Sequence, residues 1–127
     1  MPMYTISSVA PIQTAKRQPL AEMIMDVHCD LTGAPQTFVQ VVLSFGVPLD
    51  NAHAIQIFGN VRKGRTAEAN ETLRRKLKES AADLLKLSPS KIEVALSEVP
   101  ASWVMEGGEV LPEPGEEDEC SWLQEQK

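Results

Sequence analysis

The chain is poor in cysteine and aromatic residues and has no long apolar run. Only two cysteines, Cys29 and Cys120, occur in 127 residues, which excludes a disulfide-stapled fold and favours a reducing cytoplasm. No apolar stretch reaches the roughly 18 residues that a membrane-spanning helix requires. The N-terminal MPMYTISSVAP has neither the basic nor the apolar region of a signal peptide. The sequence therefore predicts a cytoplasmic protein without a membrane segment.

Basic residues are also in the minority. Twelve Lys and Arg against eighteen Asp and Glu give a formal net charge of −6, which disfavours nucleic acid as a partner. The acids are concentrated after residue 105, so the body of the chain is nearly neutral. A small anionic substrate bound to that body remains compatible with these charges.

The first part of the chain predicts a strand, a helix and a second strand. Residues 3–9 are rich in β-formers, and residues 38–45 read FVQVVLSF, which is typical of a buried strand. Pro19 fits near a first helical turn, so the helix should begin between Thr14 and Pro19 and end at Gly33. Apolar residues recur at helical spacing between these limits: Leu20, Met23, Ile24, Val27 and Leu31.

The same pattern then repeats. Residues 54–61 predict a strand, Thr66 is a suitable N-cap for a helix to about Leu87, and residues 91–97 alternate like a half-buried strand. Ser88-Pro89 ends the helix. The apolar face of this second helix comprises Leu73, Leu77, Ala81, Leu84 and Leu85.

These elements predict an α+β fold in one domain, residues 1–127. Two tandem β-α-β units, residues 3–45 and 54–97, would build a four-stranded sheet with both helices on one face. Residues 98–127 form a C-terminal extension with an acidic tail, in which Val110-Leu111 suits a short strand. Because the second sheet face would be exposed, we expect the chain to oligomerise.

Pro2 follows the initiator methionine directly. If Met1 is removed, Pro2 carries the α-amino group as a secondary amine. Such groups titrate at about pH 8 in water and lower when buried or beside cations, so they can act as base or acid near neutrality. Alternatively, Pro2 follows Met1 without any chemical role.

Two arginines and a histidine are further candidates. Arg62 and Arg65 lie three apart in a strand-to-helix loop, where guanidinium groups beside a helix N-terminus suit a carboxylate. The alternative is a solvated basic loop. His28 falls at the edge of the first apolar stripe, where a histidine is more often a hydrogen-bonded boundary residue than a ligand.

Glu106 follows Trp103-Val104-Met105 and precedes two glycines. A carboxylate in partly apolar surroundings can hold or deprotonate a water, although Glu106 can also be simply the first acid of the tail. His28, His53 and the two cysteines lack metal-ligand spacing. Residues 59–64 lack the ending of a phosphate loop. We expect neither a metal nor a cofactor.

Four patches, in order, resemble the tautomerase superfamily and, more narrowly, its cis-3-chloroacrylic acid dehalogenase group. They are Pro2 with Tyr4; Asp26-Val-His28 with Leu31-Thr-Gly33; Arg62-Lys-Gly-Arg65 with Thr66-Ala67; and Val94 through Glu98-Val-Pro100-Ala101, then Glu106 and Leu111-Pro-Glu-Pro-Gly115.

The resemblance implies an enzyme with a mixed four-stranded sheet, assembled as a homotrimer. Pro2 would transfer protons on a small carboxylate-bearing enol or unsaturated acid, in a tautomerase or isomerase reaction. His28, Arg62 and Arg65 would bind the substrate carboxylate, and Glu106 would position or activate water.

One residue departs from the pattern of this group. Where its dehalogenating members carry a tyrosine in the last strand, this chain has Ala95. Hydrolytic dehalogenation is therefore disfavoured, and a tautomerase or hydratase acting on a different small unsaturated or enol acid is favoured. The alternative is hydration or hydrolytic dehalogenation of three-carbon unsaturated acids with Glu106 activating water. A second alternative is a non-catalytic binding or assembly module on the same fold.

Overall fold

The computed structural model describes residues 1–112; the acidic tail from Glu113 and Cys120 lie outside the described residues. A four-stranded sheet and two 19-residue helices form the body. In chain order the elements are β1 Met3–Ser8, α1 Thr14–Thr32, β2 Gln40–Phe45, β3 Ile55–Arg62, α2 Ala67–Leu85 and β4 Ile92–Val99. A hairpin follows, with β5 Met105–Glu106 and β6 Glu109–Val110.

The sheet has the order β2-β1-β3-β4. Each helix joins a parallel pair, β1 with β2 and β3 with β4, whereas β1 and β3 run antiparallel at the centre. This arrangement confirms the expected α+β fold with two β-α-β units in one mixed sheet. Its antiparallel centre brings the start of β1 beside the end of β3.

Three helix ends agree with the sequence: α1 begins at Thr14, within the expected range, Gly33 closes it, and Thr66 caps α2. Gly33 has a left-handed conformation with φ of 75°, and its N–H donates to the Cys29 carbonyl. The Thr66 hydroxyl accepts from the Ala69 N–H at 3.0 Å, which confirms the expected N-cap. Helix α2 ends at Leu85, two residues before the expected Leu87. Pro19 lies inside α1, beyond the first turn, where proline removes the hydrogen bond that residue 19 would donate to the carbonyl of residue 15.

The strands differ from the sequence-based ranges by a few residues. Gln36–Phe38 form a 3₁₀ turn, and β2 therefore starts at Gln40 rather than at residue 38. Strands β3 and β4 continue to Arg62 and Val99, past the expected ends. The expected Val110 strand exists as half of the small β5–β6 hairpin, without Leu111.

The main core lies between the helices and one sheet face. Its most buried side chains are Tyr4, Ile6, Leu20, Ile24, Ile57, Leu73, Leu77 and Ile92. The stripe predicted for α1 is wrong at its end, since Leu31 is 44% exposed while His28 is only 1% exposed. A helical turn places residues 20, 24 and 28 on one line, and Tyr4 offers His28 a polar partner there.

The opposite sheet face is uncovered, as expected. Thr5 lies in register between Val42 and Phe58, which are 46% and 38% exposed, and Met3 on the same strand is 39% exposed. We call the face around Val42, Thr5 and Phe58 the outer face. Within the described part of the chain, neither helix has the length and hydropathy needed to cross a membrane.

Candidate active site

A cavity of roughly 440 Å³ opens where β1 starts and β3 and β4 end. The register explains this convergence, because Met3 pairs with Asn60 and the ends of β3 and β4 run side by side to Arg62 and Val99. The lining residues are Met1, Pro2, Met3, Gln40, Asn60, Val99, Val104, Met105 and Glu106. The two residues proposed for catalysis, Pro2 and Glu106, therefore share one cavity.

The chain terminus and Glu106 form an ion pair in this cavity. The α-amino group of Met1 donates to the Glu106 carboxylate. Burial lowers the pKa of this amine below its ordinary value, the hydrogen bond and charge of Glu106 oppose that change, and the charge of Arg62 adds to it. The net pKa of the Met1 amine is below its ordinary value because burial outweighs the influence of Glu106.

Two features fix this geometry. The Pro2 carbonyl accepts from the Gln40 N–H at 3.1 Å, which ties the terminus to the start of β2. The β5–β6 hairpin carries Glu106 and turns at Gly107 and Gly108, both with positive φ. A glycine pair suits this turn because it adopts such angles without steric cost.

The Met1 side chain is buried rather than frayed. It is 7% exposed and belongs to a second apolar cluster with Ala34, Phe38, Ala101 and Leu111. Val99 and Val104 pack against this cluster. We call the space enclosed by these six side chains the Met1 recess.

Arg62 is almost fully buried, at 3% exposed. Its Nη1 donates to the Pro112 carbonyl at 2.7 Å, and its guanidinium lies 5.5 Å from the centre of the Phe38 ring. Nη1 of Arg65 donates to the Arg62 carbonyl at 3.3 Å. Arg62 thus ends β3 and Arg65 lies in the loop before α2, and the hypothesis of a freely solvated basic loop is wrong for Arg62.

His28 is bound to Tyr4. Its Nδ1 lies 2.8 Å from the Tyr4 hydroxyl, with the rings edge to face. Burial, followed by the charges of Arg65 and Arg62, lowers the pKa of His28 to about 3, while burial raises the pKa of Tyr4. Both groups are therefore neutral at pH 7.

The pair also determines the histidine tautomer. Among residues 1–112 the Tyr4 hydroxyl has no other hydrogen-bond partner, so it satisfies its proton by donating to Nδ1. The proton of the neutral ring then resides on Nε2, which is buried without a partner in the described structure. An unsatisfied buried donor is unusual and favours a ligand with an acceptor atom.

The structure divides the five predicted site residues into two sets. Pro2 and Glu106 line the cavity, whereas His28, Arg62 and Arg65 lie outside its lining. The charges of both arginines and of the amino terminus nevertheless reach His28. Ala95 pairs with Phe58 on the outer face and is likewise outside the lining.

Sequence reasoning missed Gln40 and Asn60, which bring two amides to the cavity. Their positions opposite Met3 on the two neighbouring strands would have identified them once the strand order was known.

It also missed a cluster of Asp50, His53 and Glu93 at the other end of the sheet. The Asp50 carboxylate there accepts from the backbone of Ala52 and His53 and from the His53 ring, which explains the cluster as loop stabilisation.

The chain matches no known family profile, and no curated protein sequence matches it significantly. Several solved structures, by contrast, match the chain. The chain is similar to N1, a member of the cis-3-chloroacrylic acid dehalogenase family, at 31% identity over 98% of this chain and 96% of that one, with a TM-score of 0.86. It also resembles native Ps01740, at 27% identity over 82% and 99% of the two chains with a TM-score of 0.74.

A fused 4-OT that forms an asymmetric trimer shares the fold, at 19% identity over 85% and 94% of the chains with a TM-score of 0.77. The likeness to N1 extends over nearly the full length of both chains. The chain belongs to the cis-3-chloroacrylic acid dehalogenase family of the tautomerase superfamily.

Proposed function

We propose that the chain, after removal of Met1, is a tautomerase in which the Pro2 amine moves a proton on a small carboxylate-bearing enol or unsaturated acid. The observation that carries the proposal is the position of Pro2 in a cavity that also holds the Glu106 carboxylate. Removal of Met1 converts the Pro2 nitrogen from an amide into a secondary amine at that place.

The reaction needs only one base. The neutral Pro2 nitrogen takes the proton of the enol hydroxyl and becomes an ammonium. The electron pair of the O–H bond forms the carbonyl, the C=C pair takes a proton at carbon 3, and the ammonium supplies that proton. The product is the keto acid, and Pro2 ends the cycle neutral.

The substrate carboxylate is assigned to Arg62, Arg65 and His28. Guanidinium groups bind carboxylates bidentately, and a neutral histidine with its proton on Nε2 adds one further donor. Two observations support this assignment. The charges of Arg65 and Arg62 act on His28 and lower its pKa, and Nε2 of His28 has no hydrogen-bond partner in the described structure. Their location outside the cavity lining requires the carboxylate to reach beyond the space beside Pro2.

Hydration or hydrolytic dehalogenation is the second candidate, and the position of Glu106 favours it. A cationic Pro2 would protonate one carbon of a double bond while Glu106 delivers water to the other. Ala95 weakens this candidate, because the hydroxyl that the group's tyrosine supplies is missing.

The assembly is proposed to be a homotrimer with a cytoplasmic location. The exposed outer face supports oligomerisation, and the 4-OT trimer with the same fold supports the number of subunits. A non-catalytic module is the third candidate, and an intact Met1 would favour it.

Mass spectrometry of the native protein distinguishes the third candidate from the first two. Loss of one methionine mass supports an enzyme, and an intact Met1 supports the non-catalytic module. The processed protein is then assayed by ultraviolet absorbance with phenylenolpyruvate, 2-hydroxydienoates and three-carbon haloacrylic and acetylenic acids.

Pro2→Ala should lower kcat roughly 100-fold or more, with Leu31→Ala, at an exposed position on α1 outside the cavity lining, as the control. A Pro2→Ala variant that folds and turns over normally would eliminate the mechanism. A kcat that rises with pH through the amine's ionisation supports the base, and a falling kcat supports the acid and hence the hydratase.

A further inference from the structure

Met1 is bound by the rest of the chain through both its amine and its side chain. Chain termini are ordinarily exposed, yet Met1 is 7% exposed and both its ends are engaged. Its amine pairs with Glu106, and its side chain fills the Met1 recess. The recess therefore exists as a shaped apolar site directly beside the Pro2 nitrogen.

We propose that in the processed protein the Met1 recess binds an unbranched apolar substituent of the substrate. The proposal rests on the proposed function and narrows its substrate class to straight-chain enol or 2-oxo acids longer than three carbons.

The three parts of Met1 mark three positions relative to Pro2. Its carbonyl carbon is bonded to the Pro2 nitrogen and marks the direction from that nitrogen in which the reacting carbon lies. Its amine marks a polar group facing Glu106. Its side chain, four heavy atoms without a branch, marks the course of a substituent that leads away from the reacting carbon into the recess.

The chemistry of the recess excludes a polar substituent. Its six enclosing side chains are aliphatic or aromatic, and Ala101 and Leu111 are 0% and 2% exposed. Arg62 at its edge already donates to the Pro112 carbonyl and lies against the Phe38 ring. A polar group placed there would lose its water without gaining a partner.

A three-carbon acid would leave the recess empty. Each methylene moved from water into an apolar site contributes about fourfold to kcat/KM, which corresponds to roughly 0.8 kcal/mol. A non-bonded carbon 3 lies about 3–3.5 Å from the Pro2 nitrogen, about where the Met1 side chain begins, so the rest of that side chain corresponds to about carbons 4 through 6 of the substrate.

The test measures exchange of the carbon-3 hydrogens of straight-chain 2-oxo acids into D₂O by proton NMR, with the processed protein and acids of three to ten carbons. We expect kcat/KM to rise about fourfold per carbon from about four to six carbons and to stop rising at longer chains. Exchange that is flat or falls with chain length overturns the recess assignment and leaves the tautomerase intact. No exchange with any of the acids, together with no turnover of the enols, overturns the proposed function itself.

Two variants with opposite expected effects keep the test independent of folding losses. Ala101→Leu fills the recess and should lower the ratio of six-carbon to four-carbon kcat/KM at least tenfold. Leu111→Ala enlarges the recess and should move the optimum one or two carbons longer. Leu31→Ala, at an exposed position on α1, is the control and should keep the wild-type ratio. Unchanged ratios in both recess variants contradict the proposal.

Discussion

The hydroxyl of Tyr4, on the central strand β1, lies 2.8 Å from Nδ1 of His28 on α1. This single bond links the sheet to the helix and sets the donor that His28 offers on its other nitrogen. It also explains why a histidine can be buried here, because Nδ1 has a hydrogen-bond partner on the side that faces the core.

Tyr4→Phe should destabilise the fold by about 1–2 kcal/mol, since Nδ1 is left as a buried acceptor without a donor. Nitrogen-15 NMR of the histidine ring should show a single Nε2–H tautomer in the wild type and a mixture in the variant. Urea unfolding gives the stability change. A wild-type spectrum with the proton on Nδ1 would contradict the assigned hydrogen-bond direction.

Acid should destabilise the protein through His28. Its pKa is about 3 in the folded chain and 6.5 ordinarily, so between these values the unfolded chain binds more protons than the folded one. Stability is therefore fully present above pH 6.5 and is lost as the pH falls towards 3. The expected loss between pH 7 and pH 5 is about 2 kcal/mol.

Urea unfolding at a series of pH values measures this loss. His28→Gln, which has no titrating ring, should lack it, and His53→Gln at the partly exposed site beside Asp50 should retain it. Equal pH slopes for the wild type and His28→Gln would show that other groups dominate.

Gly59→Ala tests the close packing around the same tyrosine. A Cβ at Gly59 would lie 2.7 Å from Cδ1 of Tyr4 and 3.1 Å from Cδ2 of Leu96. Because both neighbours are packed in the core, we expect a loss of about 2–3 kcal/mol and a displaced Tyr4–His28 bond. Gly46→Ala is the control, since its Cβ meets nothing within 4 Å and only the positive φ of 72° opposes it.

The control should cost about 1 kcal/mol and leave the histidine NMR signals unchanged. If Gly59→Ala costs no more than Gly46→Ala in thermal or urea unfolding, the Tyr4 ring has room to move and the packing argument fails.

The outer face supplies the prediction for the proposed trimer. Phe58→Glu places a charge at the centre of that face and should convert the assembly to monomers, because burying an unpaired carboxylate is costly. Analytical ultracentrifugation should then give about 13.9 kDa, against three times this mass for the wild type. Leu31→Glu, at a similarly exposed apolar position on α1, should remain trimeric. A wild-type monomer would contradict the proposed assembly.

Hydrophobic periodicity predicted the helices and strands well, because each buries a regular apolar face. It placed α2 from its N-cap at Thr66 to its last turn, and it identified the uncovered sheet face. Hydrophobicity could not predict that His28, rather than Leu31, lies on the buried side of α1. A polar side chain is tolerated there only because Tyr4, 24 residues earlier, provides its partner.

The candidate site was predicted as a set of residues but not as a geometry. Pro2 and Glu106 are 104 residues apart in the sequence, and only the antiparallel β1–β3 centre and the β5–β6 hairpin bring them together. Gln40 and Asn60 were missed for the same reason, since their relevance depends on which strands flank β1.

The burial of Met1 also bears on when the proposed enzyme can mature. An aminopeptidase binds an extended, accessible N-terminus, and in the folded chain Met1 is only 7% exposed. If Met1 is removed as proposed, we expect its removal on the nascent polypeptide, before β1 joins the sheet. A chain that folds with Met1 in place would keep the Pro2 nitrogen as an amide and lack the proposed base.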